Sequence, residues 1–181
     1  MTSPFTNPVG RAPEQASAYV RSILELLGDR DPREVQAGLA DALRAAVSGL
    51  SAGQLDRPEA QGKWSIAQTV AHLADSEVVF GWRLRLVLAQ DRPTITGFDQ
   101  DAWSARLGDA YPDVGSAIQQ IAILRGTSLS LLRSLAPADW DRTGLHAERG
   151  EESVRHMAKL YAGHDLVHLR QIARIRQAIG A

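Results

Sequence analysis

Apolar residues recur at three- and four-residue intervals along most of this chain, the period of an α-helix with one buried face. Tyr19, Ile23, Leu26 and Leu27 share one side of residues 14–27, and Val35, Leu39, Leu43 and Val47 do the same in 32–49. Ile66, Val70, Leu73, Phe80, Leu84 and Val87 line residues 65–89. Ile118, Ile121, Leu124, Leu131 and Leu135 line 113–135, and Met157, Leu160, Tyr161, Ile172 and Ile175 line 151–178. The punctuation agrees with these bounds. Gly28 closes the first segment, Asp31-Pro32 opens the second, Ser65 is placed to cap the third, Pro137 stops the fourth and Gly180 lies past the fifth. No strand-period pattern survives against these longer helical periods. Residues 51–63, 90–112 and 137–150 therefore read as connections, with a short helix around Asp99–Leu107. The expected fold is all-α: an up-and-down four-helix bundle with an additional N-terminal helix and a long connection between the second and third bundle helices. Residues 1–13, with three prolines and a glycine, read as an irregular lead-in, and 14–181 as a single helical-bundle domain.

Composition narrows the chemistry. A chain of 181 residues can bury one sizeable core. Its net charge of −1 gives no global attraction to nucleic acid or to an anionic membrane, and neither is expected as a partner. No apolar run of signal-peptide or membrane-span length is present, which together with the lack of cysteine fits a cytoplasmic protein. The lack of cysteine also removes disulfides, thiolate metal sites and a cysteine nucleophile, leaving histidine, carboxylate, hydroxyl or metal chemistry.

The informative residues are histidines. His164 and His168 are four apart in the last predicted helix. Four residues turn about 40° past a full circle and rise about 6 Å, so both imidazoles leave the same face. That face carries the apolar stripe, so both should point inward, where their nitrogens need partners. A shared metal ion or ordinary hydrogen bonds would each satisfy them. A third imidazole would make a three-histidine site with open positions. By pattern His72 is the best candidate, since it lies beside the inward stripe of residues 65–89. His146, in a connection, and His156, about 80° off the face of His164, are weaker. Asp165 makes the motif HDLVH. A zinc protease has glutamate there as general base, so Asp165 reads as a surface or helix-packing carboxylate, or as a neighbour that orients a ligand. Glu77 falls on the inward side of its helix, either as a proton-transfer group or in a salt bridge to Arg83 or Arg85. The four tryptophans, Trp64, Trp82, Trp103 and Trp140, read mostly as core or helix-end packing.

The segments Gly62-Lys63-Trp64-Ser65-Ile66, Ala71-His72-Leu73-Ala74-Asp75-Ser76-Glu77, Gly81-Trp82-Arg83-Leu84-Arg85, Phe98-Asp99-Gln100-Asp101-Ala102-Trp103 and Ala162-Gly163-His164-Asp165-Leu166-Val167-His168-Leu169-Arg170-Gln171-Ile172 together resemble the DinB-like (YfiT-like) superfamily, over roughly residues 16–178. The resemblance implies a four-helix bundle with a three-histidine divalent-metal site. It assigns His72 as the ligand from the second helix, and His164 and His168 as the pair from the last. It implies zinc or nickel as the metal, a small-molecule substrate and a homodimer. It also implies activity as a metal-dependent hydrolase or as an S-transferase using a low-molecular-weight thiol such as bacillithiol, mycothiol or glutathione. A non-catalytic bundle with a bound metal is the alternative, and the resemblance assigns no general base.

Overall fold

The computed structural model describes residues 13–107 and 113–181. Seven helices and a small sheet are present among them: α1 Pro13–Leu27, α2 Pro32–Val47, α3 Ala52–Leu55, α4 Ile66–Ala89, β1 Thr94–Ile95, α5 Gln100–Leu107, α6 Val114–Arg133, β2 Thr143–His146, β3 Gly150–Ser153 and α7 Val154–Ile179. A 3-10 turn covers Pro137–Asp141. Of the expected lead-in 1–13, residues 1–12 lie outside the described residues, and Pro13 already opens α1. Among the described residues no helix is long and apolar enough to cross a membrane.

The helices begin where side chains can take up free backbone N–H groups. Ser65 and Gln68 form a reciprocal capping box at the start of α4, with Ser65 Oγ accepting from Gln68 N at 3.2 Å and Gln68 Oε1 from Ser65 N at 2.9 Å. Asp31 caps α2, Asp113 caps α6 and Ser153 caps α7. Gly180 ends α7 at φ 75°, a left-handed conformation natural to glycine.

The all-α four-helix bundle is as the periodicity implies. Around its axis the order is α2–α7–α4–α6: α2 packs on α7 and α6, and α4 packs on the same two. The sequence neighbours α2 and α4 thus lie across a diagonal, as do α6 and α7. Residues 48–65 and 134–153 are long enough to cross the bundle ends, which a tight turn is not. Leu39, Leu43, Ile66, Val70, Leu73, Ile118, Ile121, Ile172 and Ile175 fill one end of the core; Phe80, Leu84, Val87, Leu129, Leu132 and Met157 fill the other.

Helix α1 packs outside the bundle on α7, burying Tyr19 and Ile23 against Leu160 and Val167. Gly163 makes this possible. A Cβ there would overlap the Ile23 side chain and come 2.5 Å from the Ile23 carbonyl oxygen. The residue before His164 must therefore be glycine for α1 to reach the bundle at this height.

Three expectations from the sequence are corrected. The connections 90–112 and 137–150 are not strand-free: β1 pairs in parallel with β2, and β2 pairs antiparallel with β3 in the register Thr143↔Ser153 to His146↔Gly150. The strands are two to four residues long and β3 reads GEES, so no alternation could mark them. Consequently α7 begins at Val154, with Glu151 and Glu152 in β3. The 51–63 connection holds the short helix α3. Trp82 does not pack inward. It is 64% exposed on the outer side of α4, beside the exposed Val78.

Candidate metal centre

The packing of α4 against α7 brings three imidazoles to one point. His164 and His168 project together from α7, and His72 meets them from α4. His164 Nε2 lies 3.1 Å from His72 Nε2 and 3.0 Å from His168 Nε2. Among the described residues, these three form the group of metal-ligating side chains whose donor atoms all lie within 4.8 Å of one another. His72 and His168 are buried, and His164 retains partial exposure.

Protonation favours ligation. Burial holds His72 well below the usual histidine range, and His168 beside it adds to the effect. His164 is depressed by burial, then by His168 and His72. Burial brings His168 to about 4, against a small upward pull from Gln171. All three are neutral near pH 7, the form that ligates metals. His168 Nδ1 donates to Gln171 Oε1 at 2.8 Å, which leaves the His168 Nε2 lone pair facing the centre.

That arrangement fits a cation. A neutral imidazole has one N–H, so a proton on His164 Nε2 can point at one neighbour only, and the other contact stays lone pair against lone pair. A divalent ion removes the repulsion. Nε2 atoms 3.1 and 3.0 Å apart converge closely enough that His72, His164 and His168 could hold one ion together. On one side of the histidines is a cavity of about 50 Å³. His72, His164, Ser76 and Tyr161 form part of its wall; α1 contributes Tyr19 and Ile23, and the turn after β2 contributes Arg149.

The model of the DinB superfamily matches residues 37–172. The chain belongs to that superfamily. A relative from Bacillus mycoides (strain KBAB4), named "Putative metal-dependent hydrolase", is 31% identical over 169 residues, covering 93% of this chain and 96% of its own. A relative of the same description from Oceanobacillus iheyensis is 34% identical over 133 residues, covering 74% of this chain and 77% of its own. Among solved structures, YfiT from Bacillus subtilis is described as "a probable metal-dependent hydrolase with an unusual four-helix bundle topology". It superposes with a TM-score of 0.77 at 27% identity, over 82% of this chain and 86% of that one.

In this DinB-superfamily chain the histidines stand on a buried ionic network that the hydrophobic pattern does not reveal. Arg125 of α6 donates from Nε to both carboxylate oxygens of Glu77 at 2.9 Å and from Nη1 to Asp165 Oδ2 at 2.7 Å. Its Nη2 bonds to Asp165 Oδ1 at 3.1 Å and also to Glu77. All three side chains are buried. This corrects one expectation and decides between the alternatives of another. Glu77 pairs with neither Arg83 nor Arg85, and Asp165 takes the helix-packing role, not the surface one. Because Asp165 adjoins His164 in sequence, the network ties α4, α6 and α7 together at the height of the histidines. Burial pushes Asp165 up to about 6 despite the pull of Arg125, and the neighbouring Glu77 adds to that rise. One guanidinium cannot fully compensate two carboxylates.

The weaker histidine candidates stay outside the cluster. His146 lies in β2, where its Nδ1 accepts from Glu148 N at 3.2 Å and burial lowers it to about 4. This gives the metal-free protein a defined acid response. His146 and His168 protonate near 6.5 when unfolded but only near 4 when folded. Their contribution to stability is complete above about pH 6.5 and is lost as pH falls toward 4, at about 1.4 kcal/mol per pH unit for each. Asp165 works in the opposite direction, gaining stability as pH falls through about 6, but His72 and His164 reinforce the loss. Urea midpoints of metal-free protein should therefore fall steadily from about pH 7 to about pH 5; a flat profile would contradict this account.

Proposed function

We propose that His72, His164 and His168 hold one divalent cation, zinc or nickel, and that the protein is a metal-dependent hydrolase acting on a small molecule. The observation that carries this is the convergence of three neutral imidazole nitrogens, 3.0–3.1 Å apart in two pairs, beside a cavity. Three protein ligands leave coordination positions free, whereas structural zinc sites are usually closed by four. A metal held there supplies Lewis-acid polarisation of a substrate atom and acidification of water. The chain's own part is to hold the ligands and shape the cavity. Gln171 fixes the His168 tautomer, the Arg125 network fixes α7 against α4 and α6, and α1 covers one side. The relatives' names agree with this reading.

A second reading, transfer to a low-molecular-weight thiol, is favoured by one feature. No Asp or Glu lines the cavity among the described residues, so no carboxylate is placed there to take a proton from water. A thiol ionises far more readily than water and needs less help.

Protein purified without chelator and analysed by elemental mass spectrometry is expected to carry about one equivalent of metal. Adding zinc at about 100 times its dissociation constant to metal-free protein should raise stability by about 2.7 kcal/mol. Metal content at background, with melting unmoved by zinc or nickel, would remove the metalloenzyme reading. Turnover of ester, amide and thiol-adduct panels by the loaded protein separates hydrolysis from thiol transfer.

A further inference from the structure

We propose that the cavity beside the histidines recognises a carboxylate, with Arg83 as the group that binds it, so that the substrate is a small carboxylate-bearing molecule. This rests on the metalloenzyme reading for the reacting centre, but the anion site itself is argued from other residues.

Arg83 is 6% exposed on the inner side of α4 and lines the cavity with His72 and His164. Its guanidinium donates from Nη1 to the Tyr161 hydroxyl at 3.1 Å and from Nη2 to the Thr96 carbonyl at 2.5 Å. Both acceptors are neutral. Among the described residues no carboxylate oxygen lies within 4.0 Å of it, whereas buried Arg125 has two carboxylate partners and Arg149 has Glu152. A buried cation without an anion is costly, and it is retained where an anion completes it.

The rest of the wall points the same way. Among the described residues its charged members are Arg83 and Arg149, and none is acidic. Glu152 neutralises Arg149, through Nε at 2.6 Å and Nη2 at 3.0 Å, so among the described residues Arg83 is left as one positive charge without a carboxylate partner. Tyr161 accepts from Arg83, which leaves its own O–H free to donate, and its ring lies 6.3 Å from that of His164. Arginine has five N–H donors, and two are engaged by neutral acceptors. A single positive charge matches a monoanionic carboxylate better than a phosphate dianion.

The test uses metal-free full-length protein, so that an anion cannot bind to zinc instead, with acetate, acetamide and inorganic phosphate as probes. Acetate is expected to shift the Arg83 Nε–Hε resonance in nitrogen-15 spectra, while acetamide leaves it in place. Acetate affinity should fall about 10- to 100-fold in Arg83→Gln, the loss expected for a charge-assisted hydrogen bond, and recover in part in Arg83→Lys. The wild-type resonance shift needs no variant to fold. Equal acetate affinity in Arg83→Gln, an equal response to acetamide, or no acetate binding overturns the proposal. Tighter binding of phosphate than acetate also overturns it, in favour of phosphate esters. Zinc content is measured separately on wild type. A protein that binds acetate through Arg83 but no zinc would fail the metalloenzyme reading alone.

Discussion

Arg125→Ala is expected to destabilise the protein by about 3–5 kcal/mol, read as a large drop in the urea midpoint at neutral pH. The substitution strands Glu77 and Asp165 in the interior with no cation between them. Against a typical folding margin of about 5–15 kcal/mol, that is enough to leave a sizeable unfolded fraction. The deficit should shrink in mild acid, where the stranded Asp165 protonates. Asp165, already pushed up to about 6 in the intact protein, would rise further without Arg125. A companion variant separates the cost of a broken network from the worth of an intact one. Replacing Glu77, Arg125 and Asp165 together with apolar residues of similar size should be nearly neutral or stabilising, because no buried charge is left. Arg125→Ala unfolding at the wild-type urea concentration would show that water reaches the network.

His168→Ala should abolish tight metal binding, with affinity for zinc falling by about a thousandfold or more, since two imidazoles remain where three converged. The metal-free variant should be no less acid-tolerant than wild type, because a histidine held at about 4 in the fold has been removed. Gln171→Ala is the graded control. It leaves all three ligands and removes the acceptor of the His168 Nδ1 proton, so zinc affinity should fall about 10- to 100-fold. Zinc titrations with a competing chelator measure both. A His168→Ala protein that binds zinc within tenfold of wild type would dissociate the cluster from the metal.

Much of this was legible in the chain. The helical segments were, because each buries one face and the 3.6-residue period records which residues lie on it. Ser65, Asp31 and Gly180 marked boundaries because backbone groups at helix ends need partners wherever the helix packs. The pair His164 and His168 was legible for the same reason: four residues on one helix are a local geometric fact.

What pattern missed was non-local. Arg125 breaks the apolar line of α6, so Leu131 and Leu135 looked more inward than they are; the buried line runs through Ile121, Arg125, Ser128, Leu129 and Leu132. Its burial makes sense only once Glu77 and Asp165 arrive from two other helices. The three strands have no alternation to read, since they exist only where two distant connections meet. Arg83 looked like a partner for Glu77 six residues away along α4, until the packing turned it toward Tyr161 and the cavity.

The sequence alone thus determined the helices, their buried faces and, through its resemblance to a family, the three histidines. Only the tertiary structure decided that α4 and α7 are neighbours, that the three imidazoles converge at one point, and that among the described residues a buried arginine stands beside them without a carboxylate. The reason is physical. Helix formation and face burial depend on residues a few positions apart, whereas a metal site and the charge balance of a cavity depend on groups that only packing brings together.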